Sequence, residues 1–473
     1  MHPAMGKDPL ALLPEICLLV GAVTTLLAGS FLARDRQWLT RLVALAALLA
    51  SGVAAAAALT GDPLTVYGTT FAVDTATGVA RLVVVGSTLL VIALGTEEVR
   101  GRPRESETYA LLLLSSLGAT VMAAASDLLV LAVSFLLASI PLYGLIGMTR
   151  GPRAAEAALK AYLLGALLNI LLLLGSVVLY GVGGATAYAD LRAGLAGAPA
   201  AAVAIGLLGV LAGLLFKAGG VPGHFWVPDA AQGAGVTAAA FLTTVPKIGA
   251  LVAAYRLVSV LPDSVSWPLL VAVLAALTMT LGNLAAFAQD DVRRLLGWST
   301  VSQVGYLLMP VAVAGTSSDA LPALLVYLAA YAVTNLAAFA VVAAVPERRS
   351  VADARGLAAS APVLGGALLV ALLSLVGTPP TAVFLGKLSV FTATWEGGMA
   401  WLVVVAAANT VASLFYYLRW IAPAYRPGER TGGPEPHRPL ATVTAVVAAL
   451  SVLVLLPALS GLLPAVQDAV VAR

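Results

Sequence analysis

The stretch FKAGGVPGHFWVPDAAQGAGVTAAAFLTTVPKIGAL, residues 216–251, sets two lysines into apolar sequence on either side of a Gly-Gly-x-Pro-Gly break. A charged side chain at bilayer depth costs about 2.5–3.5 kcal/mol even on lenient scales. Proline deletes a backbone donor, and hydrocarbon offers no water to replace it. A break here is either a packing kink or backbone covered by protein or a wet cavity.

Working outward, the whole chain is of one kind. Its 473 residues are 60% hydrophobic and 10% charged, and the mean hydropathy is +0.99. Soluble domains carry about 25% charged residues, so the expected fold class is an all-α polytopic membrane protein. The formal net charge of +3 gives no reason to expect a nucleic-acid partner. Cys17 is the single cysteine, too few thiolates for a disulfide framework or an iron–sulfur cluster, which takes about four. Three histidines, His2, His224 and His437, leave little scope for haem. Any electrons flow elsewhere.

A spanning helix needs about 20 apolar residues. Fourteen stretches qualify: 9–33, 38–60, 74–96, 107–125, 127–149, 155–181, 197–220, 234–260, 266–287, 292–314, 320–345, 357–396 with a break, 399–424 and 438–463. The first is too long for a signal-peptide core and carries Glu15, so it reads as a retained helix. Arginines follow alternate spans: Arg34, Arg36 and Arg41; Arg100, Arg102 and Arg104; Arg150 and Arg153; Arg293 and Arg294; Arg348, Arg349 and Arg355; Arg419, Arg426, Arg430 and Arg438. The other loops hold almost none, Arg192 being the exception. The positive-inside rule makes the arginine-rich loops cytoplasmic and puts both termini outside.

A second break, GTPPTAVFLGK (377–387), lies five spans after the first. Five is odd, so the two units run in opposite directions, as in transporters built from inverted repeats with a midplane site. The expected divisions are an N-terminal three-helix segment (1–106), two inverted five-helix repeats (107–262 and 263–425) with helices seven and twelve broken, and a C-terminal helix (426–473).

The cations divide by type. Of 26 basic residues five are lysine; beyond Lys7, the other four, Lys160, Lys217, Lys247 and Lys387, all sit in apolar helical stretches. Arginine stays protonated in proteins, whereas a buried lysine can release its proton. A group that must load and unload a proton inside a membrane should be lysine, so these four are read as a proton relay; the alternative is lysines snorkelling to the interface. Among acids, Glu156 precedes Lys160 by four residues, on one helix face in the favourable order, and is a candidate relay member. Asp74, Asp127 and Asp229 read as capping or interface residues. His224 either passes protons toward the cytoplasm or is a structural loop histidine.

These segments resemble the antiporter-like subunits of respiratory complex I, specifically the subunit N type of bacterial NADH–quinone oxidoreductase. EAALKAYLLGALLNILLLLG (156–175) resembles that family's sixth helix, and residues 216–251 its seventh and eighth. AQDDVRRLLGWSTVSQVGYLLM (288–309) resembles its tenth helix and LVGTPPTAVFLGKLSVF (375–391) its broken twelfth. The likeness covers about residues 9–460. It implies that Lys217 is the central proton carrier, Lys247 a bridge to the other half and Lys387 the outlet. Lysine at 247, where sister subunits and Mrp-type antiporters place histidine, fits type N.

Two departures stand out. The family's fifth helix carries a glutamate in a Glu-Leu-Leu-Ser-Leu-Pro pattern; here the stretch is LLASIP (136–141), with Leu136 in that place. A glutamate there is expected to face the lysines of spans six and seven. Gln303 stands where many relatives have histidine. Glu156 is the nearest acid by sequence to replace the missing one.

The resemblance implies a proton-translocating subunit of the bacterial plasma membrane with no cofactor in this chain. Quinone, NADH, flavin and iron–sulfur clusters are expected in partner subunits, with other membrane subunits of complex I and lipid as partners. An Mrp-type cation/proton antiporter and a non-pumping assembly scaffold, the latter suggested by Leu136, are the rival expectations.

Overall fold

The structure, a computed structural model, describes residues 8–427 and 438–471, with side chains described as far as Pro457. Lys7, Arg430 and His437 lie outside these residues. An N-terminal pair, α1 (Leu13–Phe31) and α2 (Trp38–Ala58), leads to α3 (Thr75–Val99), α4 (Glu105–Ala124), α5 (Leu128–Gly147) and α6 (Pro152–Gly183). Next come α7 (Tyr188–Leu195), α8 (Ala200–Ala218), α9 (Trp226–Gly233), α10 (Val236–Leu242) and α11 (Val245–Val258). The second half holds α12 (Trp267–Phe287), α13 (Val292–Ala312), α14 (Ala320–Ala344), α15 (Leu357–Ser360), α16 (Pro362–Val376), α17 (Ala382–Glu396) and α18 (Ala400–Tyr425), followed by α19 (Pro439–Val471).

Among the described residues, twelve helical stretches are long and apolar enough to cross a membrane. The other two predicted spans are also helical: α13, whose first turn holds Arg293 and Arg294, and the broken pair α16–α17. The chain is an all-α, multi-pass membrane protein. Two small elements were not anticipated. An antiparallel hairpin, β1 (Leu64–Val66) with β2 (Phe71–Val73), joins α2 to α3. The short α7 carries Arg192, so the one exceptional arginine sits on a helix that does not span.

The connections gather on two sides. At one end Ser126 donates to the Thr70 carbonyl and Asp127 bridges Ala187, while Ala11 packs on Val66 and Val73. At the other, Asp291 bridges Ser350, and Arg102, Arg150, Arg293, Arg349 and Arg438 line one cavity. This is the alternation that the arginines predict.

The two expected breaks form by one device. The amide of Gly219, at φ +87°, closes α8 by donating to the Leu215 carbonyl, 2.8 Å, as does that of Gly220. Gly377, at φ +92°, closes α16 with bonds to Leu373 and Ser374. Only glycine adopts this left-handed geometry without steric penalty. A third break was not anticipated: residues 234–260 read as one span, yet α10 stops at Leu242 and α11 restarts at Val245. Pro246 has no N–H with which to continue the ladder to Leu242, and proline is favoured at a helix start.

The helix with the third break lies deepest. The stretch Val236–Val258 is buried throughout its most apolar window and α14 nearly so, whereas α1 and α2 show most of their surface outward. A broken helix is tolerated at membrane depth where other protein covers it.

Candidate functional site

Lys217, in the last turn of α8, is 1% exposed. Its ammonium donates to Ser139 Oγ of α5 and lies 4.8 Å from the Phe135 ring centre. Ser139 in turn donates to the Phe135 carbonyl at 2.5 Å. Ser139 and Phe135 share one face of α5 at helical spacing. Leu136, three residues before Ser139 and beside it on the helix surface, is 38% exposed. The α5 side chain that Lys217 meets in this chain is Ser139.

Lys247, also 1% exposed, opens α11 immediately after the third break. Its ammonium donates to the Thr243 carbonyl, which the break leaves available. The same carbonyl accepts from Tyr331 Oη of α14 at 2.8 Å, and that hydroxyl is 3.0 Å from Thr300 Oγ1 of α13. Asn335, a turn further along α14, donates to both Thr243 and Thr244 hydroxyls. The break thus presents polar backbone, which two α14 side chains tie down.

Lys387 on α17 is 4% exposed. It donates to the Val376 carbonyl at 2.9 Å, in the last turn of α16, and sits 4.2 Å from the Tyr306 ring centre. A side chain at Gly377 would meet the Lys387 stem, its Cβ falling 2.9 Å from Cδ. Between Lys247 and Lys387, Gln303 of α13 accepts from Tyr327 Oη and donates to the Leu375 carbonyl at 2.9 Å. That carbonyl is next to the one holding Lys387. Thr410 links Lys387 to the Tyr306 hydroxyl, at 3.5 and 3.2 Å.

Among the described residues no carboxylate pairs with Lys217, Lys247 or Lys387. Each is held by neutral oxygens and an aromatic face beside a helix break.

Lys160 differs, and the sequence reading is corrected here. It is not buried: its side chain is 45% exposed, pairing with Glu156 at 2.6 Å and with Asp229 of α9 at 2.8 Å. Asp229 also pairs with Arg294 at 2.5 Å. Glu156 is therefore committed to Lys160 and does not supply the acid missing near Lys217. Asp229, read as a capping or interface residue, is the hub of a four-charge cluster. His224 is likewise not an open loop residue; it is 1% exposed, stacked on Phe225 at 4.1 Å and near Trp298 at 5.6 Å. The capping reading holds for Asp74 and Asp127, which accept amides at the starts of α3 and α5; Asp74 also pairs with Arg256 at 2.6 Å.

Sequence reasoning missed Ser139, Thr243, Tyr331 and Tyr327. Pro246, one residue before Lys247, was the available signal for the third break. Nothing in the sequence marks the hydroxyls among many similar ones.

Comparison with known proteins decides the family. Residues 125–413 match the family model described as NADH:quinone oxidoreductase/Mrp antiporter, TM. The chain is 56% identical over 457 residues to NADH-quinone oxidoreductase subunit N of Mycobacterium sp., covering 96% of this chain and 97% of that protein. The chain belongs to the family of NADH–quinone oxidoreductase subunit N. A second family member, subunit N 1 of Streptomyces griseus, is 54% identical over the same shares. A chain of respiratory complex I from Thermus thermophilus superposes with a TM-score of 0.82 at 32% identity, covering 95% of this chain and 98% of that one. A chain of the Mrp complex from Dietzia has a TM-score of 0.85 at 24% identity, a likeness of fold alone.

Proposed function

We propose that this chain is a proton-translocating membrane subunit of a complex I-type NADH–quinone oxidoreductase. It works beside other membrane subunits, and lysines carry the protons. The observation that carries the reading is the set Lys217, Lys247 and Lys387: three ammonium groups buried at helix breaks, without carboxylate partners among the described residues. A cation held by a counter-charge has little reason to release its proton, whereas one held by hydroxyls and carbonyls changes charge at smaller cost.

In this reading Lys160, held by Glu156 and Asp229, sets the charge at the entry side near the arginine-rich end of α6 rather than carrying the proton itself, and His224 assists beside the first break. Lys217 is the central carrier. Lys247 passes charge changes through Tyr331 and Gln303 to Lys387, the outlet. The halves 107–262 and 263–425 act as inverted repeats, each with a lysine beside a glycine-capped break. The arginine-rich side faces the cytoplasm of a bacterium and both termini lie outside the plasma membrane. Redox chemistry, with NADH, flavin, iron–sulfur clusters and quinone, belongs to partner subunits.

The test is Lys217→Ala in the assembled complex. Pumping in vesicles should fall while electron input to an artificial acceptor stays close to the parent's; pumping at the parent rate would refute the assignment. Lys217→Arg should fail similarly, because arginine does not release its proton. Reporters fused after Arg349 and at the C-terminus should read opposite sides of the membrane. An Mrp-type antiporter would purify without donor-oxidising subunits.

A further inference from the structure

Away from the lysines, the arginine-rich side holds a cavity of about 510 Å³. Arg102, Arg150, Arg153, Arg293, Arg349 and Arg438 line it, and a seventh arginine, Arg348, turns its guanidinium to the carbonyls of Asp353 and Arg355. The loops after α3, α5 and α14 and the starts of α13 and α19 all deliver cations to one place. The positive-inside rule accounts for arginines on these loops, but not for their convergence on a single cavity.

Among the described residues counter-charge is scarce. Among the described residues Glu98 is the only carboxylate lining the cavity. Both its oxygens are engaged at the start of α10, taking the Val236 amide at 3.1 Å, the Thr237 amide at 2.8 Å and the Thr237 hydroxyl at 2.6 Å. Its neighbour Glu97 accepts the Ala441 amide at the start of α19. Among the described residues none of the six arginines forms an ion pair. Arg293 spends one nitrogen on the Ala234 carbonyl at 2.7 Å, which leaves the rest of its fork for a ligand. Like charges gathered this closely repel, so the arrangement is more stable with an anion between them.

A second cavity of about 270 Å³ adjoins the first, sharing Glu98, Arg102, Thr149, Arg150 and Gly235. Its further wall is mostly apolar, with Val99, Leu145, Met148 and Ala238, and also holds Arg104, Thr108 and Thr237. Basic and apolar compartments thus open into one another.

We infer that this arginine-lined cavity binds a phosphate-bearing anion. Guanidinium forks match phosphate oxygens in pairs. The chemistry is common to an anionic phospholipid, whose glycerol and upper acyl carbons would enter the apolar compartment, and to free phosphate, which would leave it empty.

The test compares the assembled parent complex with Arg150→Gln/Arg349→Gln, two exposed positions outside the proton route. Both are placed in phosphatidylcholine nanodiscs and titrated with phosphatidylglycerol or with inorganic phosphate, and retention is read by native mass spectrometry. The parent should bind one of the probes saturably, and the variant roughly tenfold more weakly or worse, as the loss of two charge-assisted contacts implies. Phosphatidylglycerol retention that millimolar phosphate does not displace assigns the site to lipid. Saturable phosphate binding without a preference for phosphatidylglycerol assigns it to the free anion. Equal retention of both probes by parent and variant overturns the inference. Should the glutamine variant fail to assemble, Arg150→Lys/Arg349→Lys keeps the charge without the fork and should bind at an intermediate level. Absence of saturable binding of either probe by the parent alone also overturns it.

Discussion

Lys160 and Lys217 sit on neighbouring packed helices, α6 and α8, yet their surroundings are opposite in kind. Lys160 reaches two carboxylates within 2.8 Å and is about half exposed. Lys217 is sealed from solvent, with a serine hydroxyl and a phenyl face for company. Water screens the first and can stand in for a lost partner. Nothing stands in for the second. A lysine's fitness as an internal proton carrier therefore follows from what encloses it rather than from its place in an apolar sequence.

The sharpest way to break this comparison is to remove each lysine in turn. Lys217→Ala should lower pumping by roughly tenfold or more, the scale of a lost proton-transfer group. Lys160→Ala should lower it much less, because Arg294 keeps Asp229 paired. Both are read as proton flux at matched electron input. Equal losses would show that burial is not the deciding property.

Smaller effects sharpen it. Ser139→Ala takes away the one oxygen that Lys217 reaches, and leaving a buried donor unmade costs about 1–3 kcal/mol. The melting temperature of the complex should drop and pumping with it, and Ser139→Thr should restore both in part. Tyr331→Phe removes a donor from the Thr243 carbonyl that also holds Lys247. Since the carbonyl keeps its lysine, the loss should stay nearer the net value of one hydrogen bond, about 0.5–1.5 kcal/mol, visible in melting and as a modest fall in flux.

The smallest effect lies in the loop after α14. Hydrogen bonds from Ser350, then its hydroxyl, and the Arg349 amide hold the Asp353 carboxyl below its usual value of 3.8. Such a group stabilises the fold above its unfolded pKa, and that stability is lost as pH falls through the lower folded value. Asp353→Asn should thus melt slightly below the parent at neutral pH, and the two curves should converge below about pH 4. A gap independent of pH would place the effect in the loop's shape instead.

Much of this was legible beforehand because the bilayer constrains sequence so strongly. Fourteen apolar stretches and alternating arginines needed only length and charge. The Gly-Gly-x-Pro-Gly and Gly-Thr-Pro-Pro breaks followed from proline's missing donor and glycine's tolerance of positive φ. The third break was harder to see, because Thr243 and Thr244 are common in apolar helices and Pro246 also suits a helix start. The α5 partner of Lys217 was hard to read for another reason. Position 136 was compared with a family pattern, but which face of α5 meets Lys217 depends on the rotation of that helix in the bundle, and rotation comes from packing against α4 and α6.

The sequence by itself determined that the chain spans a membrane many times, where two of its helices break, and that four of its lysines lie in apolar stretches. Those are local consequences of hydrophobicity, backbone chemistry and side-chain type. Only the tertiary structure decided which lysines are buried, that Asp229 joins Glu156 at Lys160, that Ser139 meets Lys217, and that arginines from loops far apart in sequence share one cavity. Contacts between distant segments depend on how helices turn and lean against one another, and no single stretch of residues encodes that.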